Sequence, residues 1–528
     1  MVWYVLFFYF VLCVFLFFVP YGSWNYSCGF NDFFSFSVSF SFEVCLFFLV
    51  LIFVSFFIFV YGSFYMVGGV RLFYFFLVLF SFVMSMGGLI VFSNCVILTL
   101  VFWDFLGVSS FFLVLFYNNV VGRCGAMSTV FTNRIGDFSI FLFFNGLILF
   151  SVGFLSCQFF SSLVGVMLFV SSFIKGGQYP FGSWLPKAMA APTPVSCLVH
   201  SSTLVTAGLM LMDFYSYVSL GSDFLLFVFF FGFLTVVVSG CCALVESDCK
   251  KVVALSTMSQ MGFCFLCIGC GLHYVSFVHM IGHSFFKSLL FMQVGYLIFV
   301  NFGQQDFRGY SFFGFCVPYL VCLNIYLCVV CLCGLMYTSG YCSKEYFVSC
   351  FYCGSYSVLL AFFYFFGVFL TFCYCYRMLF LFRVEFCNYG YVGFSSKLYY
   401  LSCCFLVFFS VCFIFWWFFN FLNFVDIFNR IEFFVVFFYF FFLFCVLNYF
   451  FKFFVLEFCN KFFMDNYSFF VYKLIPNFWF FELIGLGFNY FLFGLLRFFF
   501  FSFFMLFRGV YGLVVVFVIS FMLLLFFF

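Results

Sequence analysis

The sequence predicts an all-α polytopic membrane protein, and three observations carry that expectation. Hydrophobic residues make up 68% of the 528 and charged residues only 7%, whereas a soluble domain carries about 25% charged residues. Apolar runs long enough for the hydrocarbon, about 20 residues each, recur from end to end and amount to roughly fourteen to sixteen spans. The runs are continuous where barrel strands would alternate, and a backbone in lipid must satisfy its own hydrogen bonds, so the spans are helices. A single membrane domain follows, with no soluble domain.

The elements can be read in order. Val2 to Val19 is a first helix without the basic leader and small-residue cleavage site of a secretory signal. Phe33 to Phe40 alternates Ser with Phe or Val, a strand-like period read as a short interfacial element. Spans follow near 43–61, 72–93, 95–117, 138–160, 162–178, 192–212, 224–245, 251–270, 274–300, 313–338, 344–364 and 365–385. Short connections force neighbouring helices antiparallel. Beyond these, apolar runs at 396–424 and 432–451 precede a stretch with Lys452, Glu457, Lys461, Asp465 and Lys473, expected along the membrane surface.

Two spans are interrupted by helix-breaking residues beside a lysine. One runs Ile174-Lys175-Gly176-Gly177 to Tyr179-Pro180; the other runs from Gly334 through Gly340 to Ser343-Lys344-Glu345. Interrupted helices in corresponding halves point to an ion site, because unwound backbone and half-helix ends can face an ion or water.

A net charge of +3 favours no partner class, and no feature suggests nucleic acid. The 29 cysteines are scattered through apolar runs as small fillers, without the exposed oxidising loops that disulfides need. With 118 Phe and 29 Cys against 7 Pro and 4 His, usage leans to codons rich in T and G. That bias suggests organellar coding, of the kind found in a euglenozoan mitochondrial genome, which codon counts would test. Basic residues outside the apolar runs are too few, chiefly Lys187, Lys250, Lys251 and Lys397, to orient the chain.

An ionisable group at bilayer depth costs about 2.5–3.5 kcal/mol on insertion scales, so each one must be paired, hydrated or near an interface. Asp104, about ten residues from either end of its run, is a titrating carboxylate or a neutral, hydrogen-bonded core group. His279, His283 and Lys287 are spaced by four and share one helix face, a stripe of proton-exchanging groups or a polar packing face. Two histidines at that spacing match a zinc helix, but the Glu of the hydrolase motif is missing. Lys175 lies near the end of its run, and His200 lies in the next; Lys175 and Lys344 can each be read as a lysine reaching for the interface. Cys264, Cys267 and Cys270 superficially match an iron–sulfur string, but they sit in an apolar helix with no fourth ligand at the expected spacing. No nucleotide-binding glycine loop is present. The chain shows no redox site of its own.

The string WLPKAMAAPTPVSCLVHSSTLVTAG (184–208) closely resembles the most characteristic stretch of the NADH dehydrogenase subunit 5 family, the antiporter-like subunits of mitochondrial NADH:ubiquinone oxidoreductase, respiratory complex I. It is joined by FWDFLGVSSFFLVLFY (102–117), TNRIGDF (132–138), SDCKKVVALSTMSQMGF (247–263), HMIGHSFFKSLLF (279–291), YCSKEYF (341–347) and CYRMLF (375–380), in the family's order. The resemblance implies an antiporter-like fold of two inverted five-helix bundles, each with a discontinuous helix, and a lateral helix towards the C-terminus. On that pattern 1–94 forms N-terminal helices, 95–245 the first half-channel, 246–390 the central axis and second half-channel, and 391–528 the C-terminal helices with the lateral amphipathic helix.

It also implies a proton path. Asp104 pairs with the switching Lys175, Asp137 is the second acidic residue, and His200 relays from Lys175. His279, His283 and Lys287 carry the axis to Lys344, the second-half lysine near the outlet, followed by Glu345. The first carboxylate is usually Glu, so Asp104 is one methylene short. The implied function is proton translocation coupled to NADH oxidation and ubiquinone reduction elsewhere in the complex, in the mitochondrial inner membrane. Flavin and iron–sulfur clusters would sit on partner subunits, with no cofactor or metal on this chain beyond a bound phospholipid. Partners would be other membrane-arm subunits, especially a neighbouring antiporter-like one, and membrane lipid. Rival readings are a subunit of a multi-subunit cation/proton antiporter and a membrane scaffold.

Overall fold

A computed structural model describes residues 22–26, 36–66 and 72–382, apart from 94, 152–157, 220–221, 302, 307–318, 335–337 and 354–357, and beyond these only 399, 403 and 407. The expected first helix at Val2 to Val19 and the whole C-terminal region with its lateral helix lie outside the described residues.

The alternating segment is a strand. β1 (Gly22–Tyr26) and β2 (Phe36–Phe40) pair antiparallel, with Trp24 opposite Val38. The chain then enters α1 (Phe42–Tyr65), capped by the Ser41 hydroxyl, which accepts from the Val44 amide at 3.4 Å, with Glu43 in the first turn facing the positive helix end. α2 (Leu72–Val91) and α3 (Val96–Val114) follow as continuous apolar helices.

α4 (Val120–Ser151) begins well before the expected 138. The polar stretch that looked like a connection is helical, because Ser128, Thr129 and Thr132 return their hydroxyls to carbonyls one turn back and no breaker interrupts them.

α5 (Gln158–Lys175) stops at the predicted break, where Gly177 adopts φ +63°, a left-handed turn that glycine takes without cost. Short α6 (Trp184–Ala188) and α7 (Thr193–Leu198) lead through a π-helical turn, Val199–Thr203, into α8 (Leu204–Ser219). α9 (Ser222–Val245), α10 (Cys249–Gly269) and α11 (His273–Val300) are long and antiparallel. The second break comes where α12 (Tyr319–Cys333) ends at Gly334, φ +74°, before α13 (Ser339–Cys353) and α14 (Val358–Phe382). α13 ends at Cys353 and α14 is under way by Val358, so the expected boundary at 364 falls inside a helix, since composition alone cannot locate a turn inside a uniformly apolar stretch.

Six described segments are long and apolar enough to cross a membrane: Glu43–Tyr65, Val96–Tyr117, Thr193–Tyr215, Phe224–Val245, Cys249–Gly269 and His273–Val300. Four shorter apolar helices accompany them. Thr193–Tyr215 and Cys249–Gly269 are wholly buried, whereas Val96–Tyr117 is only 33% buried. The bundle therefore has an inner set of helices wrapped by outer ones, and the polar residues singled out from sequence lie mainly on the inner set. α9, α10, α13 and α14 close one side of it through Phe233, Val236, Phe263, Phe347 and Tyr364.

Candidate proton-relay site

The α5 break positions Lys175. Because the helix ends there, its last carbonyls lose their partners, and the Trp184 indole donates to the carbonyl of Ile174 at 3.0 Å. The Lys175 side chain is fully buried and crosses to α3, where Nζ donates to the Trp103 carbonyl at 2.6 Å and stands 3.7 Å from the centroid of the Trp103 ring. The helix break is held tightly. α8 passes so close that a Cβ on Gly208 would collide with the Ser172 carbonyl oxygen and the backbone of Gly176.

The ion pair between Asp104 and Lys175 implied by the family resemblance is not formed. Asp104, half-buried on α3, lies 3.9 Å from Arg134, and Arg134 reaches Asp137 at 3.3 Å. Arg134 on α4 instead gathers both carboxylates. Asp137 is buried, and both it and Asp104 remain within electrostatic reach of Lys175.

His200 sits in the π-helical turn, fully enclosed, with its ring 6.1 Å from that of Trp184. Trp184 therefore joins the end of α5 to His200. The same turn packs on α11, where His283 lies against the backbone of Ser201. His200 Nδ1 and both ring nitrogens of His283 lack a formed hydrogen bond among the described residues.

Along α11 the expected stripe is real and interior. Lys287 is completely buried; its ammonium donates to the Ser256 hydroxyl and lies 3.5 Å from the Val253 carbonyl, both on α10. His279 is fixed from two sides, with Nδ1 2.7 Å from Ser343 Oγ and Nε2 3.2 Å from Gln260 Oε1. Gln260 in turn donates to the Tyr374 hydroxyl at 3.0 Å, which also meets Ser259 at 3.0 Å. Ser343 precedes Lys344, so the stripe reaches the second break through one hydroxyl.

Lys344 repeats the logic of Lys175. Its ammonium donates to the Leu332 carbonyl at 2.8 Å and the Cys333 carbonyl at 3.4 Å, the open end of α12, and lies 5.2 Å from the Phe263 ring. A helix C-terminus favours a cation, and an aromatic face adds to that. The two lysines differ in placement, since Lys175 ends the helix before its break and Lys344 lies in the helix after its own. The Glu345 side chain lies outside the described residues.

Trp103, Ser256, Gln260 and Tyr374 carry no charge that would single them out at bilayer depth, and the reach of Arg134 to Asp104 is a contact between helices that spacing along the chain does not show. Ser256 and Gln260, spaced by four on the buried helix α10, were the available signal.

A buried helical bundle with a lysine at each of two helix breaks, and a histidine line between them, defines a membrane subunit of the antiporter-like class. The protein-family model described as NADH:quinone oxidoreductase/Mrp antiporter, TM, matches residues 93–371. NADH-ubiquinone oxidoreductase chain 5 of Ascaris suum is 47% identical over 391 residues, 74% of this chain and 71% of that one. The chain 5 protein of Caenorhabditis elegans is 44% identical over 404 residues, 76% of each. The chain belongs to the NADH-ubiquinone oxidoreductase chain 5 family. Its fold is shared with a solved Mrp complex from Dietzia sp. DQ12-45-1b, at TM-score 0.66 and 23% identity over 78% of this chain and 47% of that chain. It is shared as well with the membrane-bound sulfane sulfur reductase, an archaeal respiratory membrane complex, at TM-score 0.65 and 20% identity over 77% and 70%.

Proposed function

We propose that the chain is a proton-translocating membrane-arm subunit of respiratory complex I in the mitochondrial inner membrane, coupled to NADH oxidation and ubiquinone reduction elsewhere in the complex. One observation carries the reading. Among the described residues, Lys175, Lys287 and Lys344 are buried and none has a carboxylate within ion-pair distance. A buried charge is normally paired. An amine held only by carbonyls, a hydroxyl and an aromatic face is instead free to trade its proton with the next group. The unbonded nitrogens of His200 and His283 lie between these lysines and need hydration, which supports a water-connected path.

In this reading Asp104 and Asp137 act through Arg134 on Lys175. His200, His283, Lys287 and His279 carry the axis, and Lys344, with Glu345 beside it, serves the outlet. Moving the charge of one lysine changes the proton affinity of the next. The two breaks support a pair of half-channels, 95–245 and 246–390, as inverted repeats. Flavin and iron–sulfur clusters belong to partner subunits, and phospholipid would fill the lipid-facing grooves.

Counted along the chain the basic residues are too few to orient it, but we infer sidedness from the packing, which gathers those described near the helix ends onto one face. Arg377 donates to the carbonyls of Ala243 and Glu246 at the end of α9, Lys250 to that of Ala191, and Lys251 pairs with Asp248. Arg123 binds the Asn118 side chain at 2.9 Å beside the start of α4, where the chain passes the Lys187 carbonyl so closely that a Cβ on Gly125 would collide with it. All lie at the end of the bundle where α9 passes into α10. Basic residues flank the inner side of a membrane, so we assign this face to the matrix.

The test is NADH-driven proton movement in membranes carrying the assembled complex. Lys175→Ala and Lys344→Ala should each abolish it, and a scaffold would leave it intact. Mrp-like structural similarity keeps one rival in view: sodium-dependent proton exchange without NADH would make the chain an antiporter subunit.

A further inference from the structure

The polar stripe of α11 does not stop at His279. Three residues back is Ser276, and three further back is His273, the first residue of the helix. Steps of three and four keep all of these on one face, so the stripe runs from the buried Lys287 to the membrane face where α11 begins.

At that face His273 meets a carboxylate from another element. His273 Nδ1 lies 3.4 Å from Asp213 Oδ1 on α8, and Ser276 Oγ lies 3.5 Å from the same oxygen. The pair spans surface and interior, since the His273 side chain is 36% exposed and that of Asp213 13%. The remaining histidines, His200, His279 and His283, are at most 5% exposed. Inward from the pair, the Cys264 thiol on α10 approaches the Ser276 carbonyl at 3.8 Å, one turn from Gln260, which holds His279. From the elements packed around them, the titratable groups in electrostatic reach of Asp213 are Glu43 of α1 and Cys264. Tyr215 of α8 donates its hydroxyl to the Ser93 carbonyl at 2.6 Å.

We propose that Asp213 and His273 form the aqueous end of a proton-exchange branch, joining His279 through Ser276 to the membrane face opposite the basic residues. The inference rests on the proton-translocation reading. His273 and His279 are about 9 Å apart along the helix at ~1.5 Å per residue, too far for direct transfer. The Ser276 hydroxyl stands midway, donating to the His273 carbonyl at 2.6 Å and lying near the Asp213 oxygen that His273 also meets, so one ordered water on either side completes the connection. A histidine is suited to this end, since its two ring nitrogens can take a proton at one and pass one on from the other. The facing carboxylate orients its ring and balances its charge.

A purely structural pair, stapling α8 to α11, would have the same geometry but need no titration. The assembled complex distinguishes the two. The double variant Asp213→Asn with His273→Gln keeps a hydrogen bond and removes both titrating groups; the swap Asp213→His with His273→Asp keeps both. The branch predicts that NADH-driven proton movement in the amide variant falls about tenfold, with a flattened pH profile, and that the swap recovers most of it. An amide variant that pumps with an unchanged pH profile overturns the inference. So does a swap that assembles but pumps no better than the amide pair.

Should neither variant assemble, diethyl pyrocarbonate on the native complex, read by peptide mass, decides aqueous access. Labelling of His273 from the face opposite the matrix supports the branch, and an unlabelled His273 overturns it. Lys344→Ala run alongside separates the readings: its loss of pumping with an unaffected amide pair sinks the branch alone, whereas intact pumping in Lys344→Ala sinks translocation.

Discussion

Lys175 and Trp103 form a two-point contact: the ammonium donates to the Trp103 carbonyl and stands against the face of the same residue's ring. One residue thus supplies both a dipole and an aromatic quadrupole to a buried cation, in the place where a carboxylate was expected. Trp103→Leu keeps the carbonyl and removes the ring. A desolvated cation–π contact contributes about 2 kcal/mol, so proton movement driven by NADH should slow more than about tenfold, while Trp103→Phe retains most of it.

Phe263 makes the weaker version of this contact with Lys344, at 5.2 Å and beside two carbonyls instead of one. Phe263→Leu should therefore cost clearly less than Trp103→Leu in the same proton-movement assay. A larger loss at Phe263 would refute the comparison.

Gln260 holds His279 with its oxygen and Tyr374 with its nitrogen. Gln260→Leu leaves the imidazole without an acceptor in an apolar setting and should reduce pumping about tenfold. Tyr374→Phe breaks bonds worth roughly 1 kcal/mol each and should slow pumping about fivefold. Initial rates of proton uptake in sealed vesicles give both numbers.

Gly208 lies where α8 crosses the end of α5. Gly208→Ala forces a Cβ against the Ser172 carbonyl oxygen and should destabilise the assembled subunit by about 1–3 kcal/mol, seen as a lower thermal midpoint of the purified complex. Gly122→Ala, whose nearest neighbour would be 3.7 Å away, is the matched control and should leave the midpoint unchanged.

Much of the site was legible in sequence because the membrane makes ionisable residues rare. Lys175, His200, His279, His283, Lys287 and Lys344 stood out for that reason, and the gaps of four from His279 to Lys287 already placed them on one face. The α5 break was legible too, through Gly176, Gly177 and Pro180. The polar start of α4 was read as a connection, since hydroxyl residues look like loop until their bonds to the preceding turn are seen. The partnership of Asp104 could not be read either. It depended on the arrival of Arg134 from a different helix.

The amino-acid order by itself decided that this chain crosses the membrane many times, where its two helix breaks fall and which few side chains would be ionisable at depth. Each of these is a local property, set by transfer free energy, backbone conformation and helical period. Only the tertiary structure decided which groups meet. Trp103 came to Lys175, Gln260 and Ser343 to His279, the end of α12 to Lys344, and Asp213 to His273, because each contact joins residues on separate helices and depends on the packing that brings those helices side by side.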